Sequence, residues 1–315
     1  MSASPSLSPS APDPHQHTLA GPAVFAGVGL HTGQRIRAAI LPAPADTGIL
    51  FLRTDVEGEG RIEARAEAVV STRLSTVIGN SEGVTVATVE HLMAALYGLG
   101  VDNALVELDG PEAPIMDGSA APFVSLIDRA GRRRQDAPRQ AIEILKPVVV
   151  GDGDRRAALV PASRFEIAVE IVFESPAIGR QQLDMAMDED AFRDVLAGSR
   201  TFGFLHEVEA LQSAGLALGG SLENAIVVDG DSVLNPEGLQ HPHEFVRHKA
   251  VDAIGDLATL GRPLIGRYES HCAGHALNNA LVRALLAQPD AWRLKSLALA
   301  PAEEVAAARR PGAFA

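Results

Sequence analysis

Two predicted helices carry side chains that could bind one metal ion together. His248 and Asp252 lie four residues apart in the helix predicted over 242–260, so both side chains can converge on one point. The helix predicted over 88–99 places His91 on a face that otherwise carries only alanines. Together His91, His248 and Asp252 would supply two nitrogens and one oxygen and leave a fourth position open, which is the pattern of catalytic zinc sites.

Groups that could transfer protons accompany these candidate ligands. Glu90 directly precedes His91, the position that the general base has beside a ligand in H-E-x-x-H zinc enzymes. His275 lies in a predicted glycine-containing turn and could act as a general acid, and Asp256 lies one helical turn beyond Asp252. Ordinary structural explanations stay open: a capping glutamate beside a core histidine in the first helix, and a salt bridge on a solvated face of the second.

The composition excludes several classes of protein and of metal site. The chain has 315 residues and one cysteine, Cys272, which rules out an internal disulfide and any zinc site with two or more thiolates from one chain. A net charge of −13 and an aromatic content of 4% argue against a nucleic-acid-binding surface. No stretch approaches about 18 consecutive apolar residues and no signal peptide is recognisable, so we expect a cytoplasmic protein without a membrane span.

The order of strand-like and helix-like segments predicts an α+β fold. The clearest runs of β-branched residues lie at 35–41, 104–108, 142–150, 165–173 and 225–228. One prominent helix lies among the strands of each half of the chain. This arrangement predicts two similar α+β halves.

Composition also predicts where the two domains begin and end. Residues 1–17 are rich in Ser and Pro and are expected to form a disordered arm, because they offer little to bury. The charge run at 131–138 ends in proline and is the predicted linker. We therefore expect an N-terminal α+β domain over 18–137, a C-terminal α+β domain over 138–300 and a flexible tail over 301–315.

One segment contains candidate apolar contacts, and two glycine-rich segments resemble nucleotide-binding loops without matching them. Phe202 and Phe204 follow Thr201 in a chain poor in aromatics, so they could contact an apolar ligand, although core packing would also explain them. The glycines of 27–33 have one residue too many for a dinucleotide-binding fingerprint, and 218–222 lacks the lysine of a phosphate-binding loop. Neither segment therefore predicts a nucleotide cofactor.

Six motifs occur in the order and spacing of one enzyme family. They are GVGLHTG (27–33), TVEHL (88–92), PIMDGSAAPF (114–123), SRTFGF (199–204), RHKxxDxIGD (247–256) and AGHALNN (273–279). Over about residues 18 to 300 the chain resembles the UDP-3-O-acyl-N-acetylglucosamine deacetylases, zinc enzymes of lipid A biosynthesis. The resemblance implies two similar α+β domains, each a sheet layer packed on a helix layer, with the active site between them.

The resemblance also implies roles for individual residues. Glu90 resembles the general base and His275 the general acid that protonates the departing amine. Thr201 resembles the hydroxyl that stabilises the oxyanion, Lys249 a contact to polar groups or the diphosphate of the substrate, and Asp256 the carboxylate that orients the acid histidine. The residues that resemble the zinc ligands are His91, His248 and Asp252. The residues in the stretch that forms the family's acyl-chain passage are Phe202, Phe204, Val208, Leu211, Ala217 and Gly220.

The activity implied by the resemblance is zinc-dependent hydrolysis of the N-acetyl group of UDP-3-O-(3-hydroxyacyl)-N-acetylglucosamine, with release of acetate, the committed step of lipid A biosynthesis. The expected partner is this acylated UDP-sugar; no nucleic acid and no obligatory protein partner is expected. Two alternatives remain. A noncatalytic protein that binds a sugar nucleotide or an acyl chain would have no use for Glu90 and His275, and a zinc peptidase would require an open cleft.

Overall fold

The computed structural model describes residues 13–297, and the elements below lie within that range. The strands are β1 (His15–Leu19), β2 (Ala23–Val28), β3 (Arg35–Pro42), β4 (Ile49–Arg53), β5 (Arg61–Glu63), β6 (Val69–Ser71), β7 (Val77–Gly79), β8 (Thr85–Val86), β9 (Ala104–Leu108), β10 (Arg132–Pro138), β11 (Gln140–Ile144), β12 (Val148–Asp152), β13 (Arg155–Val160), β14 (Phe165–Val172), β15 (Arg180–Ala186), β16 (Phe202–Phe204), β17 (Ile226–Asp229), β18 (Ser232–Val233), β19 (Leu264–His271) and β20 (Trp292–Ser296). The helices are α1 (Glu90–Gly98), α2 (Ala121–Ala130), α3 (Glu189–Ala191), α4 (Leu205–Ser213), α5 (Glu244–Leu257) and α6 (His275–Leu286). Short 3₁₀ turns occupy Ala66–Ala68 and Ala258–Leu260, and a π turn occupies Phe192–Leu196.

The first half of the chain builds a five-stranded sheet in the order β2-β3-β9-β4-β5. Alternate residues of β3, among them Ile36 and Ile40, are fully buried, as expected for a sheet with one face covered. Helix α2 packs on β2 and on α1, so helices form the second layer of this half. Strands β6, β7 and β8 form a small separate sheet.

The second half builds a seven-stranded sheet in which β12-β13-β19-β11-β20 are successive neighbours and β14 joins β19 to β15. Helix α5 packs on β14 and β15, and α6 packs on β12 and β13. The prediction of an α+β fold is confirmed. None of the helices between residues 13 and 297 has the length and apolar character that crossing a bilayer requires.

Helices α1 and α5 pack on each other and so join the two halves. They cross very closely at Gly255 of α5: a Cβ at this position would lie 2.0 Å from the main-chain oxygen of Glu90 and 2.8 Å from its Cα. Only a residue without a side chain allows the two backbones to approach to this distance. Glycine at this point therefore sets the separation between the helices that carry the candidate metal ligands.

Two segments predicted to be irregular are strands instead. Strand β1 includes residues 15–17 of the predicted arm, and it pairs antiparallel with β10, which covers most of the predicted linker. Gln16 is buried there, and its side chain donates to Asp46 at 2.7 Å. Composition was misleading because this two-stranded ribbon is held by main-chain pairing and polar contacts. Residues 1–12 and 298–315, which include the whole predicted tail over 301–315, lie outside the described residues, and the domain limits at 137 and 138 remain a prediction.

The segment predicted as one strand over 142–150 is also different. It forms the end of β11 and the beginning of β12, with Leu145, Lys146 and Pro147 between them. Proline has no N–H to give to a sheet, so it interrupts an otherwise strand-like run.

Candidate active site

His91, His248 and Asp252 form a buried cluster where α1 and α5 cross. Nε2 of His91 lies 3.5 Å from Oδ1 of Asp252, and Nε2 of His248 lies 3.3 Å from the same oxygen. The candidate ligand atoms of the three side chains all lie within 4.8 Å of one another. The structure therefore brings together the three residues that the sequence singled out, one from the first half of the chain and two from the second.

The chemistry of the cluster fits a divalent metal ion. Nδ1–H of His248 donates to the main-chain oxygen of Ser199 at 3.0 Å, which leaves the lone pair on Nε2 facing the cluster. Lys249 donates to Oδ2 of Asp252 at 2.8 Å, and Oδ1 is the oxygen that faces the two histidines. Burial would raise the pKa of Asp252, but His248 and Lys249 hold it well below its usual range, while burial lowers the pKa of His91. An ionised carboxylate beside neutral imidazole is the state that binds metal.

Glu90 and His275 flank the cluster with pKa values shifted in ways that suit proton transfer. Oε1 of Glu90 lies 3.8 Å from Nε2 of His275, whose Nδ1 lies 2.9 Å from Oδ2 of Asp256. Burial raises the pKa of Glu90 to about 7. Burial opposes a positive charge on His275, but Asp256 and Glu90 outweigh this effect and raise its pKa to about 10. Near neutral pH one group can accept a proton while the other holds one to donate.

The secondary structure around His275 differs from the prediction. His275 is the first residue of α6, not a residue of a glycine-containing turn. The helix fixes its position relative to Asn278, one turn further along, whose Nδ2 donates to Oδ2 of Asp256 at 2.8 Å. The Asp256 carboxylate is thereby held by two residues of one helical face.

Sequence analysis missed three residues that complete this network. The main-chain N–H of Thr76 donates to Oε2 of Glu90 at 3.1 Å, and its hydroxyl donates to Oδ1 of Asp256 at 2.5 Å. The hydroxyl of Tyr268 donates to Oδ1 of Asn278 at 2.6 Å. Asn278 could have been found from its place in the AGHALNN motif, three residues after the histidine. Thr76 precedes β7 in irregular chain, and no periodic pattern marks it.

A cavity of about 170 Å³ opens on the cluster and draws on both halves of the chain. Lys249, whose pKa is raised by neighbouring carboxylates although burial would lower it, lies on the wall beside the metal cluster. Thr201 lies there too, fixed by its main-chain N–H to the oxygen of Gly118 at 2.8 Å. The lining residues are Leu30, His31, Leu74, Ser75, Thr88, Glu90, His91, Ile115, Phe173, Thr201, Phe202, His248, Lys249, Asp252 and His275.

Aromatic rings extend from the cavity along the protein. Phe202 packs edge to face on Phe245, with centroids 4.9 Å apart, and on Phe173 at 5.7 Å. Phe204 lies 5.9 Å from Phe173 but does not itself line the cavity. Phe173, which ends a predicted strand, was not recognised as a site residue. Phe202 thus contributes both to the core and to the site, so the two explanations offered for it do not exclude each other.

The other predicted acyl-chain residues lie beyond this cavity. Val208 and Leu211 lie half-buried on α4, a helix without fully buried residues. Ala217 and Gly220 lie in the loop that follows, and a Cβ at Gly220 would be 3.6 Å from Leu30, a cavity residue. None of these four residues therefore lines the cavity, and Gly220 lies beside a residue that does.

The GVGLHTG motif forms a turn that covers one side of the site. Glu112 is fully buried and accepts from the main-chain N–H groups of His31 and Thr32 and from the hydroxyl of Thr88. A Cβ at Gly29 would lie 2.4 Å from Oε2 of Glu112, which explains the glycine. Both ring nitrogens of His31 are buried without a hydrogen-bond partner in the described structure.

Comparison with known proteins assigns the chain to a family. The family model described as UDP-3-O-acyl N-acetylglycosamine deacetylase matches residues 16–287. The chain belongs to this deacetylase family. The match begins within β1, in agreement with the ordered residues found there, and it confirms both the resemblance carried by the six motifs and the prediction of a hydrolase.

Curated relatives share the same deacetylase name. The protein named UDP-3-O-acyl-N-acetylglucosamine deacetylase from Phenylobacterium zucineum is 66% identical over 291 residues, 92% of this chain and 99% of its own length. The protein of that name from Myxococcus xanthus is 52% identical over 280 residues, 89% of each chain. The one from Acidithiobacillus ferrooxidans is 53% identical over 279 residues, 88% of this chain and 91% of its own.

Proposed function

We propose that this deacetylase removes the N-acetyl group of UDP-3-O-(3-hydroxyacyl)-N-acetylglucosamine, releasing acetate and a free amine for lipid A biosynthesis. The observation that carries the proposal is that a set of buried possible metal ligands, a base and an acid converge at one cavity. Near neutral pH the base can accept a proton and the acid can donate one. The names of the curated relatives supply the substrate class.

The metal that we propose is zinc, held by His91, His248 and Asp252. Two imidazoles and one carboxylate are a common donor set of catalytic zinc, and they leave a position for substrate or water. When bound there, zinc would lower the pKa of water to about 7 and polarise the amide carbonyl.

Glu90 and His275 divide the proton transfers in this proposal. With its pKa near 7, the Glu90 carboxylate can take a proton from water at neutral pH, and the Thr76 N–H bond to Oε2 leaves Oε1 directed toward His275 and the cavity. His275, kept charged by Asp256, gives its Nε2 proton to the departing glucosamine nitrogen. The Thr201 hydroxyl donates to the oxyanion that develops on the amide carbonyl.

The remaining proposed residues bind the rest of the substrate. Lys249 is a cation on the cavity wall, and we assign it to the polar groups or diphosphate of the substrate. The acyl chain would follow the aromatic side of the cavity, where each buried methylene contributes about 0.8 kcal/mol. The residues proposed for this passage are Phe202, Phe204, Val208, Leu211, Ala217 and Gly220.

Measurements of bound zinc and of acetate release in matched variants test the proposal. Glu90→Ala should retain zinc and lose roughly a hundredfold or more in turnover, because it removes only the base. His248→Ala should lose both zinc and turnover. Glu57→Ala, which removes an exposed carboxylate outside the site, should change neither. Undiminished acetate release in Glu90→Ala would overturn the assigned mechanism. Cleavage of peptides without acetate release would overturn the assigned substrate.

A further inference from the structure

A second cavity, of about 450 Å³, lies at the opposite end of α1 from the candidate active site. Glu90 and His91 begin the helix and line the first cavity, whereas Tyr97 and Gly98 end it and line the second. At 1.5 Å per residue, the helix separates the two cavities by about 12 Å. The other walls of the second cavity come from β10, β11 and the strands of the second half, so this cavity lies between the two halves of the chain.

The acidic side chains on the wall of this second cavity already have hydrogen-bond donors. Glu189 accepts from Arg132 at 2.6 Å and from Arg193 at 2.7 Å. Asp188 accepts the main-chain N–H of Ala191 at 2.8 Å, and Asp13 accepts that of His15 at 2.9 Å. A cationic ligand would therefore have to compete with established partners.

By contrast, two hydrogen-bond donors on the same wall, Arg139 and Tyr97, have N–H or O–H groups without an acceptor among the described residues. Nε of Arg139 donates to Asp102 at 2.7 Å, but its two terminal amino groups have no acceptor among residues 13–297. A Cβ at Gly100 would lie 3.4 and 3.5 Å from these amino groups, so glycine leaves them uncovered on that side. The Tyr97 oxygen accepts from the N–H of Leu264 at 2.8 Å, and within the described chain its own proton has no acceptor. Such a wall favours an anion.

An apolar surface lies beside these donors. The rings of Tyr97 and Phe165 pack edge to face with centroids 5.8 Å apart, and Met187 and Leu264 line the cavity next to them. We propose that this cavity is a second binding site, which takes a small amphipathic anion: a carboxylate or phosphate carried on an aryl or short alkyl group. The anion would pair with the amino groups of Arg139, and the apolar body would cover the Tyr97–Phe165 wall.

Calorimetric titration of the zinc-loaded full chain with phenyl phosphate tests this site. We expect one equivalent of probe per chain in addition to any bound at the active site. Arg139→Gln should weaken this binding roughly tenfold or more, because a charge-assisted pair is lost. Arg129→Gln removes an exposed guanidinium on α2 and is the matched control, with unchanged affinity. Lys249→Ala should also leave this binding unchanged, because Lys249 belongs to the active site.

A second variant separates loss of the ligand site from damage to the fold. Ala186→Phe fills the cavity from β15 and leaves Arg139 and its partner Asp102 unsubstituted, so it should abolish binding at an unchanged melting temperature. The proposal would be overturned if Arg139→Gln or Ala186→Phe bound the probe as tightly as the parent protein. It would also be overturned if Lys249→Ala lost this binding, or if the parent protein had no second site. Inorganic phosphate should bind more weakly than phenyl phosphate; equal affinity would refute the role of the apolar wall.

Discussion

Replacing Gly255 with alanine should destabilise the protein and its metal site, although alanine is the better helix former. Within a helix, alanine is favoured over glycine by about 1 kcal/mol. The added Cβ, however, would lie 2.0 Å from the main-chain oxygen of Glu90 and 2.7 Å from its carbonyl carbon. Both are backbone atoms of α1, so no change of rotamer can relieve the overlap.

The size of the overlap decides which effect dominates. Ordinary van der Waals contact begins near 3.4 Å, so α1 and α5 would have to separate by about 1.4 Å at this point. Overpacking costs about 1–3 kcal/mol, and an overlap with three backbone atoms places this case toward the upper end of that range, above the gain of about 1 kcal/mol in helix propensity. The same movement would take His91 away from Asp252 by far more than the roughly 0.2 Å that ligand distances tolerate, so zinc affinity should fall at least tenfold or so.

Urea unfolding of the metal-free protein and zinc competition against a chromophoric chelator measure the two effects separately. Gly21→Ala is the control, because the nearest atom to its added Cβ, beyond its chain neighbours, is 3.9 Å away. A Gly255→Ala protein that is more stable than its parent and binds zinc equally well would refute the reasoning, since helix propensity would then have prevailed over the close crossing.

Three further predictions concern the hydrogen bonds around His275. Thr76→Val should lower kcat roughly tenfold with little change in KM, and Thr76→Ser should restore it, because the hydroxyl that donates to Asp256 is regained. Tyr268→Phe should lower the free energy of unfolding in urea by about 1–2 kcal/mol, because Asn278 loses a buried donor; equal stability would contradict this. Burial opposes the positive charge on His275, but Asp256 stabilises that charge and the pKa of His275 is about 10. Asp256→Asn should therefore lower this pKa and move the alkaline limb of the kcat pH profile to lower pH. An alkaline limb that does not move would show that another group is responsible for it.

Periodic patterns predicted the part of the site that lies on helices. His91, His248 and Asp252 stood out because a polar side chain on an otherwise apolar face, or an i,i+4 pair, restricts where a side chain can point. The helices that carry them are found close to the predicted limits, as α1 and α5. The convergence of the two helices, however, depends on tertiary packing that no single helical pattern contains.

The residues that sequence analysis missed act through contacts between distant parts of the chain. Thr76 reaches Asp256 across 180 positions, and its loop shows no period that would reveal the contact. Strands β1 and β10 were missed for a related reason: their side chains are polar, and their order comes from pairing between segments more than a hundred residues apart. The composition of a segment indicates how much apolar surface it can bury, but it does not indicate whether a distant strand will pair with it.

The distribution of the candidate ligands over the chain has a consequence for assembly. His91 comes from the first half, whereas His248 and Asp252 come from the second, and the three meet only where α1 lies against α5. An ion that binds all three favours the joined state over any state in which the helices are apart. The amount of bound metal therefore reports how much of the protein has its two halves associated. A chain cut between residues 91 and 248 would bind the ion only when its two fragments associate. The concentration of free ion would then determine the fraction of fragments that are associated.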